Sequence, residues 1–464
     1  LLAQGWALPL LIPADFDRGG ECNRIAANAA LTGRGFWSGA SPFGADVAPY
    51  AIDWRRLFPG APACVVRPAD AGEVAAALRV AAAHGASVVP QGGNTGMAGG
   101  AAPDASGRQI LLSLARMNRI RALDPVGMTI AAEAGVILQV AKEAAVAAGR
   151  MLPVSLAAEG SAMIGGIVST NAGGVNVLRY GMARALVLGL EVVLADGTVI
   201  DGMRRLRKDN AGYDLKQLFI GSEGTLGIVT AAVLRLVPLP RHGATALLAV
   251  QSPAAALEVF ARAQTELGDT LSAFELMSGA AIALVERHCG LAAPLAPAPW
   301  FLLVEAASTL PGLREAAETL LGALFEEGLA QDGVVAESGA QAAGLWRLRE
   351  HITEAEARRG RSVKHDISVP LTDIPAFLDA AGAALAALAP DLGLNVFGHV
   401  GDGNLHYNVL TGAGHDAHAI NHAVHDCVAA FGGSISAEHG IGQYRVAELR
   451  RLRAPAEQAL SARL

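Results

Sequence analysis

Residues 90–100 read Pro90-Gln91-Gly92-Gly93-Asn94-Thr95-Gly96-Met97-Ala98-Gly99-Gly100, and they follow a short strand-like run at 86–90. Glycine has no Cβ, so the backbone NH groups of such a turn can approach a phosphate closely. The spacing matches neither GxxxxGK[ST] nor the GxGxxG that opens a helix, which disfavours a P-loop and a Rossmann site. Taken alone, the turn could equally be a flexible connection.

Two further glycine-rich turns follow, at residues 160–174 and 219–230. Each carries Ser, Thr or Asn and leads towards an apolar, strand-like run. Ordinary sheet turns would explain any one of the three. Three such turns on short strands are instead typical of one extended ligand threaded between strands, and a dinucleotide such as FAD has that length.

Residues 395–408 indicate a second kind of site, because two histidines flank a Gly-Asp-Gly turn. Asp-Gly between apolar flanks predicts a two-residue hairpin loop at Asp402-Gly403. In that register His399 lies directly opposite His406, with Cβ atoms about 5 Å apart, so both imidazoles can share one ion. Asn408 faces the same way, because side chains two residues apart share a face of the sheet.

Residues 436–440 read Ser-Ala-Glu-His-Gly and offer a further ligand and a base. Together with His399 and His406, Glu438 forms a two-histidine, one-carboxylate set that suits a divalent ion. His439 is then a candidate general base. The alternative is a polar hairpin whose histidines only cover a sheet face, but two histidines in facing register favour the metal site.

The composition is that of a large enzyme. The chain has 464 residues, of which 52% are hydrophobic and 17% charged, enough for two or three domains with sizeable cores. A net charge of −7 argues against nucleic acid as a partner. The four cysteines form no CxxC pair, which argues against a disulfide framework or a thiolate zinc site and indicates a reducing compartment.

Targeting and membrane signals are weak in this sequence. The apolar residues 1–12 lack a basic region and run into an acidic stretch, so we expect no functional signal peptide there. The alanine-rich run 380–389 is too short for a membrane helix and ends at Pro390. We therefore expect no integral membrane segment and a cytoplasmic location, or an organellar matrix if the source is eukaryotic.

The motifs together resemble a known family. The turns at 90–96, 164–174 and 221–227 look like the FAD-binding motifs of the vanillyl-alcohol oxidase and p-cresol methylhydroxylase flavoproteins. Residues 398–406 and 438–442 are similar to the branch with the D-2-hydroxyglutarate and D-lactate dehydrogenases. The resemblance implies an α+β fold, with a two-part FAD-binding domain of the p-cresol methylhydroxylase type and an α+β substrate (cap) domain.

Domain boundaries follow from the resemblance and from local signals. Residues 1–55 match the family poorly, and Pro238-Leu239-Pro240 interrupts the chain. We predict the FAD-binding domain at 56–240 and the substrate domain, with the metal site, at 241–464. Early in the first domain, Asp70 and Glu73 form a capping-box-like pair at the start of a helix.

The resemblance also implies roles for individual residues. Its metal ligands fall on His399, His406 and Glu438, and its active-site base falls on His439. The cofactor-binding positions implied are Pro90, Gln91, Gly92, Gly93, Asn94, Thr95, Gly96, Ser161, Gly165, Gly166, Ser169, Thr170, Asn171, Gly173, Gly221, Glu223, Gly224, Gly227 and Ile228. The first turn carries no His or Cys, so we expect the FAD to be bound non-covalently.

Substrate carboxylates are implied to contact Arg349, Thr353 and Lys364, and we add Asn408. Residues 346–353 look helical, which predicts that Arg349 and Thr353 lie one turn apart on one face. Residues 362–370 look like a strand, with Lys364 on the face opposite its buried neighbour. A charged residue alone is more typical of a solvated surface, but the joint match to the family favours a substrate site.

The resemblance implies FAD-dependent oxidation of a D-2-hydroxy acid to the 2-oxo acid, assisted by a divalent metal, with zinc as the first choice. Two cationic side chains favour the dicarboxylate D-2-hydroxyglutarate over D-lactate. D-lactate dehydrogenase and a glycolate oxidase subunit are alternatives within the family. Outside it, a metal hydrolase would leave three FAD-like turns without a purpose, and a non-catalytic flavoprotein subunit would not need the metal ligands. An electron-transfer flavoprotein or a quinone is the expected electron acceptor, and a homodimer is the candidate assembly.

Overall fold

The structure is a computed structural model that describes residues 47–464. These residues form two compact units. The first comprises the described chain up to Gly173, together with Met182–Pro238 and Glu438–Leu464, and the second comprises Gly174–Gly181 and Leu239–Ala437. Of the predicted segment 1–55, the structure describes only residues 47–55. Residues 1–12, for which we expect no signal peptide, lie outside the described residues.

The strands of the first unit are β1 (Cys64–Val66), β2 (Ser87–Gln91), β3 (Gln109–Ser113), β4 (Ile120–Asp124), β5 (Thr129–Glu133), β6 (Arg150–Met151), β7 (Val187–Val193), β8 (Val199–Gly202), β9 (Ile228–Arg235) and β10 (Val237–Pro238). Those of the second are β11 (His242–Val250), β12 (Leu271–Ser278), β13 (Trp300–Ser308), β14 (Asp332–Val335), β15 (Ser362–Val363), β16 (Asp366–Ser368), β17 (Gly393–Gly398) and β18 (Asn404–Leu410). The α-helices are α1 (Ala71–Ala83), α2 (Leu138–Ala147), α3 (Ile164–Ser169), α4 (Val177–Tyr180), α5 (Ala183–Leu186), α6 (Lys216–Phe219), α7 (Pro253–Leu267), α8 (Gly279–Cys289), α9 (Leu313–Glu326), α10 (Gly339–Glu350), α11 (Ile352–Arg359), α12 (Ile374–Leu388), α13 (Ala417–Ala430), α14 (Val446–Leu452) and α15 (Pro455–Ser461).

The first unit combines a parallel sheet of three strands with an antiparallel sheet of five. β1 and β2 both pair with the central β3, and the other sheet has the order β4-β5-β9-β7-β8. α1 begins as predicted, because Asp70 accepts a hydrogen bond from the Glu73 amide while the Glu73 carboxylate accepts one from the Ala69 amide. The apolar face of α1 packs against β1 and β3. This two-part arrangement confirms the predicted α+β class.

The second unit is built on one antiparallel sheet in the order β14-β11-β13-β12-β17-β18-β15, with β16 also paired to β18. Both faces of the sheet are covered. Leu247 and Ala249 of β11 pack with α8, α10 and α11, whereas Ala246 and Leu248 of the same strand pack with α7 and α9. Side chains alternate between faces along a strand, so two buried faces explain why β11 is apolar along most of its length.

The two units do not follow the predicted domains as continuous segments. The chain passes into the second unit at Pro238–Leu239, beside the predicted boundary after residue 240, but Glu438–Leu464 groups with the first unit. The reason is a set of long-range hydrogen bonds, in which the amides of Gln443 and Tyr444 donate to the carbonyl of Ala98. Likewise, residues 174–181 group with the second unit instead of the FAD-binding domain. Local patterns do not encode such pairings.

Two exclusions made from the sequence concern membrane spans and disulfides. The stretch Leu371–Leu388 is long and apolar enough to cross a membrane. Within it, Ile374, Phe377 and Leu385 form the buried face of α12 that packs against α13, whereas only 22% of the stretch is buried. Among the described cysteines, Cys64, Cys289 and Cys427 form no disulfide bond.

Candidate active site

The three glycine-rich turns of the first unit contact one another. A Cβ added at Gly93 would lie 1.9 Å from the carbonyl oxygen of Ser161, so only glycine permits this approach of the first turn to the second. The amide of Glu223 in the third turn donates to the carbonyl of Ser169 at 2.8 Å. The structure therefore brings together the turns that the sequence assigns to one ligand.

Open space borders these turns and fits a bound cofactor. Neighbouring residues aside, no described atom lies within 4 Å of a Cβ added at Gly96 or Gly166. A ligand can therefore approach both glycines from the side on which other residues carry a side chain. Asn94 and Asn171 adopt left-handed φ values of +54° and +50°, which turn consecutive peptide groups in different directions. Turns of this kind suit FAD, which they would contact largely through the backbone.

The predicted cofactor-binding residues lie where the turns meet the sheets. Pro90 and Gln91 end β2, Gly165, Gly166 and Ser169 lie in α3, Ile228 begins β9, and the others occupy the turns. Six of these side chains bond to the protein backbone: Gln91 to Tyr50 and Ala101, Asn94 to Ile52, Ser161 to Ala158, Thr170 to Gly166, Asn171 to Arg184, and Glu223 to Ile441 and Gly442. These six side chains hold the shape of the turns, and the contacts of all these positions with FAD stay predictions.

Glu223 anchors the segment that carries His439. Its two carboxylate oxygens accept hydrogen bonds from the amides of Ile441 and Gly442, each at 2.8 Å. Burial raises the pKa of the Glu223 carboxyl, although these two hydrogen bonds act in the opposite direction. Gly440, with φ of +75°, turns the chain just after His439. The sequence did not predict this use of the Glu223 carboxylate.

The histidine hairpin of the second unit has a different register from the predicted one. Phe397 lies opposite His406, and the connection contains a 3₁₀ turn at Val400–Asp402 instead of a two-residue loop. The predicted direct pairing of His399 with His406 is therefore wrong. The two rings still lie together, with centroids 5.7 Å apart, because the longer loop folds back so that the Asn404 amide donates to the His399 carbonyl.

A fully buried carboxylate, Glu275 on β12, contacts both His399 and Arg349. His399 Nδ1 is hydrogen-bonded to Oε1, and Arg349 Nε donates to Oε2 at 2.7 Å. Burial acts to raise the pKa of Glu275, but the charges and hydrogen bonds of His399 and Arg349 outweigh it and lower the pKa to about 2. Because Glu275 engages Nδ1 of His399, its Nε2 is the nitrogen that would bind a metal ion.

The predicted common helical face of Arg349 and Thr353 is wrong. α10 ends at Glu350 and α11 begins at Ile352, so the two residues lie on different helices. Ile352 occupies a core position, and Thr353 beside it is exposed, whereas Arg349 is buried with its guanidinium carbon 4.7 Å from the ring centroid of Phe397. A role for Thr353 in substrate binding stays a prediction.

A second fully buried carboxylate, Glu356 on α11, holds two other predicted substrate residues. Its Oε1 lies 3.2 Å from Lys364 Nζ, and its Oε2 accepts from Asn408 Nδ2 at 2.8 Å. Ser362 and Asn395 donate to the same carboxylate. The predicted strand over 362–370 is split into β15 and β16, with Lys364 at the interruption and partly exposed.

The predicted metal ligands lie close together. His399, His406 and Glu438 each offer a ligand atom within 4.8 Å of the other two. Glu438 directly follows Ala437, whose amide donates to the carbonyl of Asp366, and Asp366 pairs in register with His406. Two imidazoles and one carboxylate are a donor set that fits Zn²⁺ and other divalent ions.

Comparison with known proteins decides the family. Residues 62–202 match the family described as "FAD binding domain", and residues 239–464 match "FAD linked oxidases, C-terminal domain". A mitochondrial D-2-hydroxyglutarate dehydrogenase of Bos taurus is 42% identical over 401 residues, which cover 86% of this chain and 73% of that protein. The chain belongs to the FAD-linked D-2-hydroxyacid dehydrogenases. This membership confirms the predicted enzyme class and flavin cofactor.

Other relatives support the same family. A D-2-hydroxyglutarate dehydrogenase of Xanthomonas citri pv. viticola is 41% identical, and the match covers 90% of this chain and 89% of that protein. A Schizosaccharomyces pombe relative, provisionally named a mitochondrial D-lactate dehydrogenase, is 37% identical over 86% of this chain and 78% of its own. The relatives of this dehydrogenase are therefore named for two different substrates, D-2-hydroxyglutarate and D-lactate.

Solved structures confirm the fold. p-Cresol methylhydroxylase with substrate bound has a TM-score of 0.74 and 17% identity, and the match covers 98% of this chain and 95% of that one. 4-Ethylphenol oxidase from Gulosibacter chungangensis has a TM-score of 0.68 and 16% identity, with 97% and 96% covered. At this identity the likeness concerns architecture alone, and it agrees with the predicted FAD-binding domain of the p-cresol methylhydroxylase type.

Sequence reasoning missed the two buried glutamates of this dehydrogenase. Glu275 interrupts the otherwise uncharged run 271–278, and a charge inside a buried strand needs partners. That pattern could have singled it out. Glu356 lies in the polar run 353–361, where nothing distinguishes it from its exposed neighbours. Only the structure shows that it is buried.

Proposed function

We propose that this dehydrogenase oxidises D-2-hydroxyglutarate to 2-oxoglutarate, with non-covalent FAD as the hydride acceptor and Zn²⁺ as the divalent metal. The observation that carries the proposal is the pairing of Arg349 and His399 on one carboxylate of the second unit. A cation that can hold a carboxylate is thereby tied to a histidine that can bind a metal. Relatives named D-2-hydroxyglutarate dehydrogenases support the same substrate.

In the proposed reaction, the ion is held by His399, His406 and Glu438. When bound, the metal supplies Lewis acidity towards the substrate's hydroxyl and carboxylate, and FAD supplies a two-electron acceptor for the hydride from C2. His439 takes the proton of the 2-hydroxyl, so the alcohol loses one proton and one hydride and becomes the ketone. Glu223 and Gly440 fix the backbone beside His439.

Arg349 and Lys364 are proposed to neutralise substrate carboxylates, with Asn408 and Thr353 as hydrogen-bond donors. Arg349 bonds to Glu275 through Nε alone. Among the described residues, none accepts a hydrogen bond from its two Nη groups. Two parallel N–H groups are the geometry that a carboxylate accepts best. Lys364 is partly exposed and can turn from Glu356 towards a ligand. D-lactate has one carboxylate and would leave one of these cations unused.

Anaerobic bleaching of the flavin absorbance tests the proposal directly. The purified protein is mixed with D-2-hydroxyglutarate, D-lactate, glycolate and L-2-hydroxyglutarate, each before and after treatment with a chelator. We expect D-2-hydroxyglutarate to bleach the flavin fastest, chelation to stop the reaction, and added Zn²⁺ to restore it. Faster bleaching by D-lactate or glycolate would show that D-2-hydroxyglutarate is not the preferred substrate. Bleaching that survives complete metal removal would exclude the metal from the reaction.

The oxidative half of the cycle needs a partner that accepts two electrons from the reduced flavin. We propose an electron-transfer flavoprotein or a quinone for this role, a homodimer as the assembly, and a cytoplasmic or organellar matrix location. The eukaryotic relatives named as mitochondrial support the organellar alternative. Reoxidation of the bleached protein by each acceptor in turn tests the first point, and light scattering of the eluted protein tests the second.

A further inference from the structure

We propose that Glu275 is a positioning residue that holds the metal ligand His399 and the substrate-binding Arg349 with its two carboxylate oxygens. The inference rests on the function proposed above and adds a residue to it. One oxygen is bonded to His399 Nδ1 and the other accepts from Arg349 Nε. A change at Glu275 should therefore alter metal binding and carboxylate binding together.

The position of Glu275 makes it a rigid support. It lies in the middle of β12, a strand paired on both sides, with β13 and β17. Leu276 of β12 pairs with Gly398 of β17. Glu275 directly precedes Leu276 and His399 directly follows Gly398, so this strand pairing brings the two residues close together. Glu275 is 0% exposed. A group held in this way inside a sheet has little freedom to move, which is what orientation of a metal ligand requires.

The contact with His399 determines which ring nitrogen can bind a metal. A carboxylate bonded to Nδ1 keeps the proton on that nitrogen, so that Nε2 is left as the lone-pair donor. The carboxylate also increases the electron density of the ring, which strengthens the bond from Nε2 to a cation. Glu275 would therefore raise metal affinity without touching the ion.

The contact with Arg349 fixes a guanidinium that is also stacked on an aromatic ring. Arg349 Cζ lies 4.7 Å from the centroid of Phe397, and the same ring lies 4.9 Å from the centroid of His406. Glu275 holds the guanidinium by Nε at one edge, while Phe397 supports its plane. The Nη groups at the other edge remain as donors for a carboxylate.

Glutamine at this position cannot replace glutamate. His399 Nδ1–H and Arg349 Nε–H both need an acceptor, whereas a glutamine side chain has one oxygen and one NH₂ group. In Glu275→Gln, one of the two donors must therefore face another donor. In Glu275→Asp, both acceptors remain but are withdrawn by one methylene group.

The test is the Zn²⁺ affinity, measured by competition with a chromophoric chelator, which needs no turnover. We expect Glu275→Gln to bind Zn²⁺ about 10 to 100 times more weakly than the wild type, and Glu275→Asp to lie between them. The Co²⁺-substituted variants should show a shifted visible spectrum, which a purely structural role would not produce. With saturating Zn²⁺, Glu275→Gln should also raise the KM for D-2-hydroxyglutarate through Arg349.

A matched control comes from the neighbouring strand. Glu305 on β13 accepts hydrogen bonds from Trp346 and Ser272, and its carboxylate is not bonded to His399 or Arg349. Glu305→Gln should therefore keep the wild-type Zn²⁺ affinity. Retention of FAD by the first unit and an unchanged circular dichroism spectrum would show that each variant is folded.

The outcomes separate the inference from the proposed function. Wild-type affinity in both Glu275→Gln and Glu275→Asp would overturn the positioning role and leave the metal site standing. Equal losses in Glu275→Gln and Glu305→Gln would overturn it too, because the effect would then be general. A wild-type protein that binds no divalent ion would overturn the metal site and this inference together.

Discussion

Replacing Glu356 by Gln should destabilise the β17–β18 region of the second unit by about 2 kcal/mol. The carboxylate is 0% exposed and has four partners. Ser362 Oγ and Lys364 Nζ lie 2.6 and 3.2 Å from Oε1, while Asn395 Nδ2 and Asn408 Nδ2 lie 2.5 and 2.8 Å from Oε2. All four partners are donors, which is the arrangement that a glutamine fits worst.

The magnitude follows from which partners can adapt. The glutamine oxygen can stay with the two asparagine amides, and its NH₂ group then faces Ser362, whose hydroxyl can rotate to accept, and Lys364, whose side chain is 27% exposed and can turn to water. Each amide exchanges a charge-assisted hydrogen bond for a neutral one, a net loss of about 1 kcal/mol. Two such losses give about 2 kcal/mol.

Alanine at the same position should cost more. Glu356→Ala leaves the amides of Asn395 and Asn408 buried without an acceptor, at about 1 to 3 kcal/mol each, so we expect a loss of about 4 kcal/mol. The change at Lys364 is common to both variants. The difference between them therefore reports on the two asparagine amides, together with the Ser362 contact and the buried methylene group that alanine also removes.

Hydrogen exchange followed by mass spectrometry measures this stability locally. Peptides covering Asn404–Leu410 should exchange about thirty times faster in Glu356→Gln, since 1.4 kcal/mol corresponds to a factor of ten. Glu354→Gln on the same helix is the control, because Glu354 is exposed and its pairing with Arg358 lies on the surface. Peptides of β7 and β9 in the first unit should not change. Wild-type exchange in Glu356→Gln would refute the reasoning, and so would equal effects of Gln and Ala.

Three further predictions concern the first unit. His439→Ala should abolish anaerobic flavin reduction by D-2-hydroxyglutarate while the Zn²⁺ content stays unchanged, and reduction at the wild-type rate would remove His439 as the proton acceptor. Glu223→Gln keeps one acceptor for the two amides at 441 and 442, so hydrogen exchange of residues 440–445 should speed up about tenfold, whereas unchanged exchange would mean that the carboxylate is not the anchor. For the buried Glu133, burial acts to raise the carboxyl pKa, but hydrogen bonds from Arg119 and Arg121 hold it below its usual range. The ionised Glu133 therefore stabilises the fold at pH values above the pKa of the unfolded chain, about 4.3. This stabilisation is lost as the pH falls through the lower pKa of the folded state. The Tm difference between wild type and Glu133→Gln should accordingly shrink below about pH 4, and a constant difference from pH 7 to pH 3 would contradict this.

Local patterns in the chain were enough for the cofactor and the family. Glycine at positions such as Gly93 is required by a close backbone approach, and that requirement is visible in the sequence as a cluster of glycines. The cap of α1 was equally readable, because Asp70 and Glu73 satisfy amides only a few residues away. These features depend on short segments whose chemistry is the same in any surrounding.

The hairpin shows where local patterns stop. Asp402-Gly403 suggested a two-residue loop, but Gly403 alone adopts a left-handed φ there, and Val400–Asp402 form a 3₁₀ turn. The register changed while the nearness of His399 and His406 survived. The motif therefore predicted that the two histidines lie near each other, whereas loop geometry determined how they meet.

The two buried glutamates needed the tertiary structure. Glu275 lies 124 positions from His399 and 74 from Arg349, and Glu356 lies 52 positions from Asn408. Partners so far apart are brought together by strand order and helix packing, which a single sequence does not reveal. The kind of chemistry in this dehydrogenase was legible from its residue types. The carboxylates that hold His399, Arg349 and Lys364 in place were not, because burial and pairing belong to the folded chain as a whole.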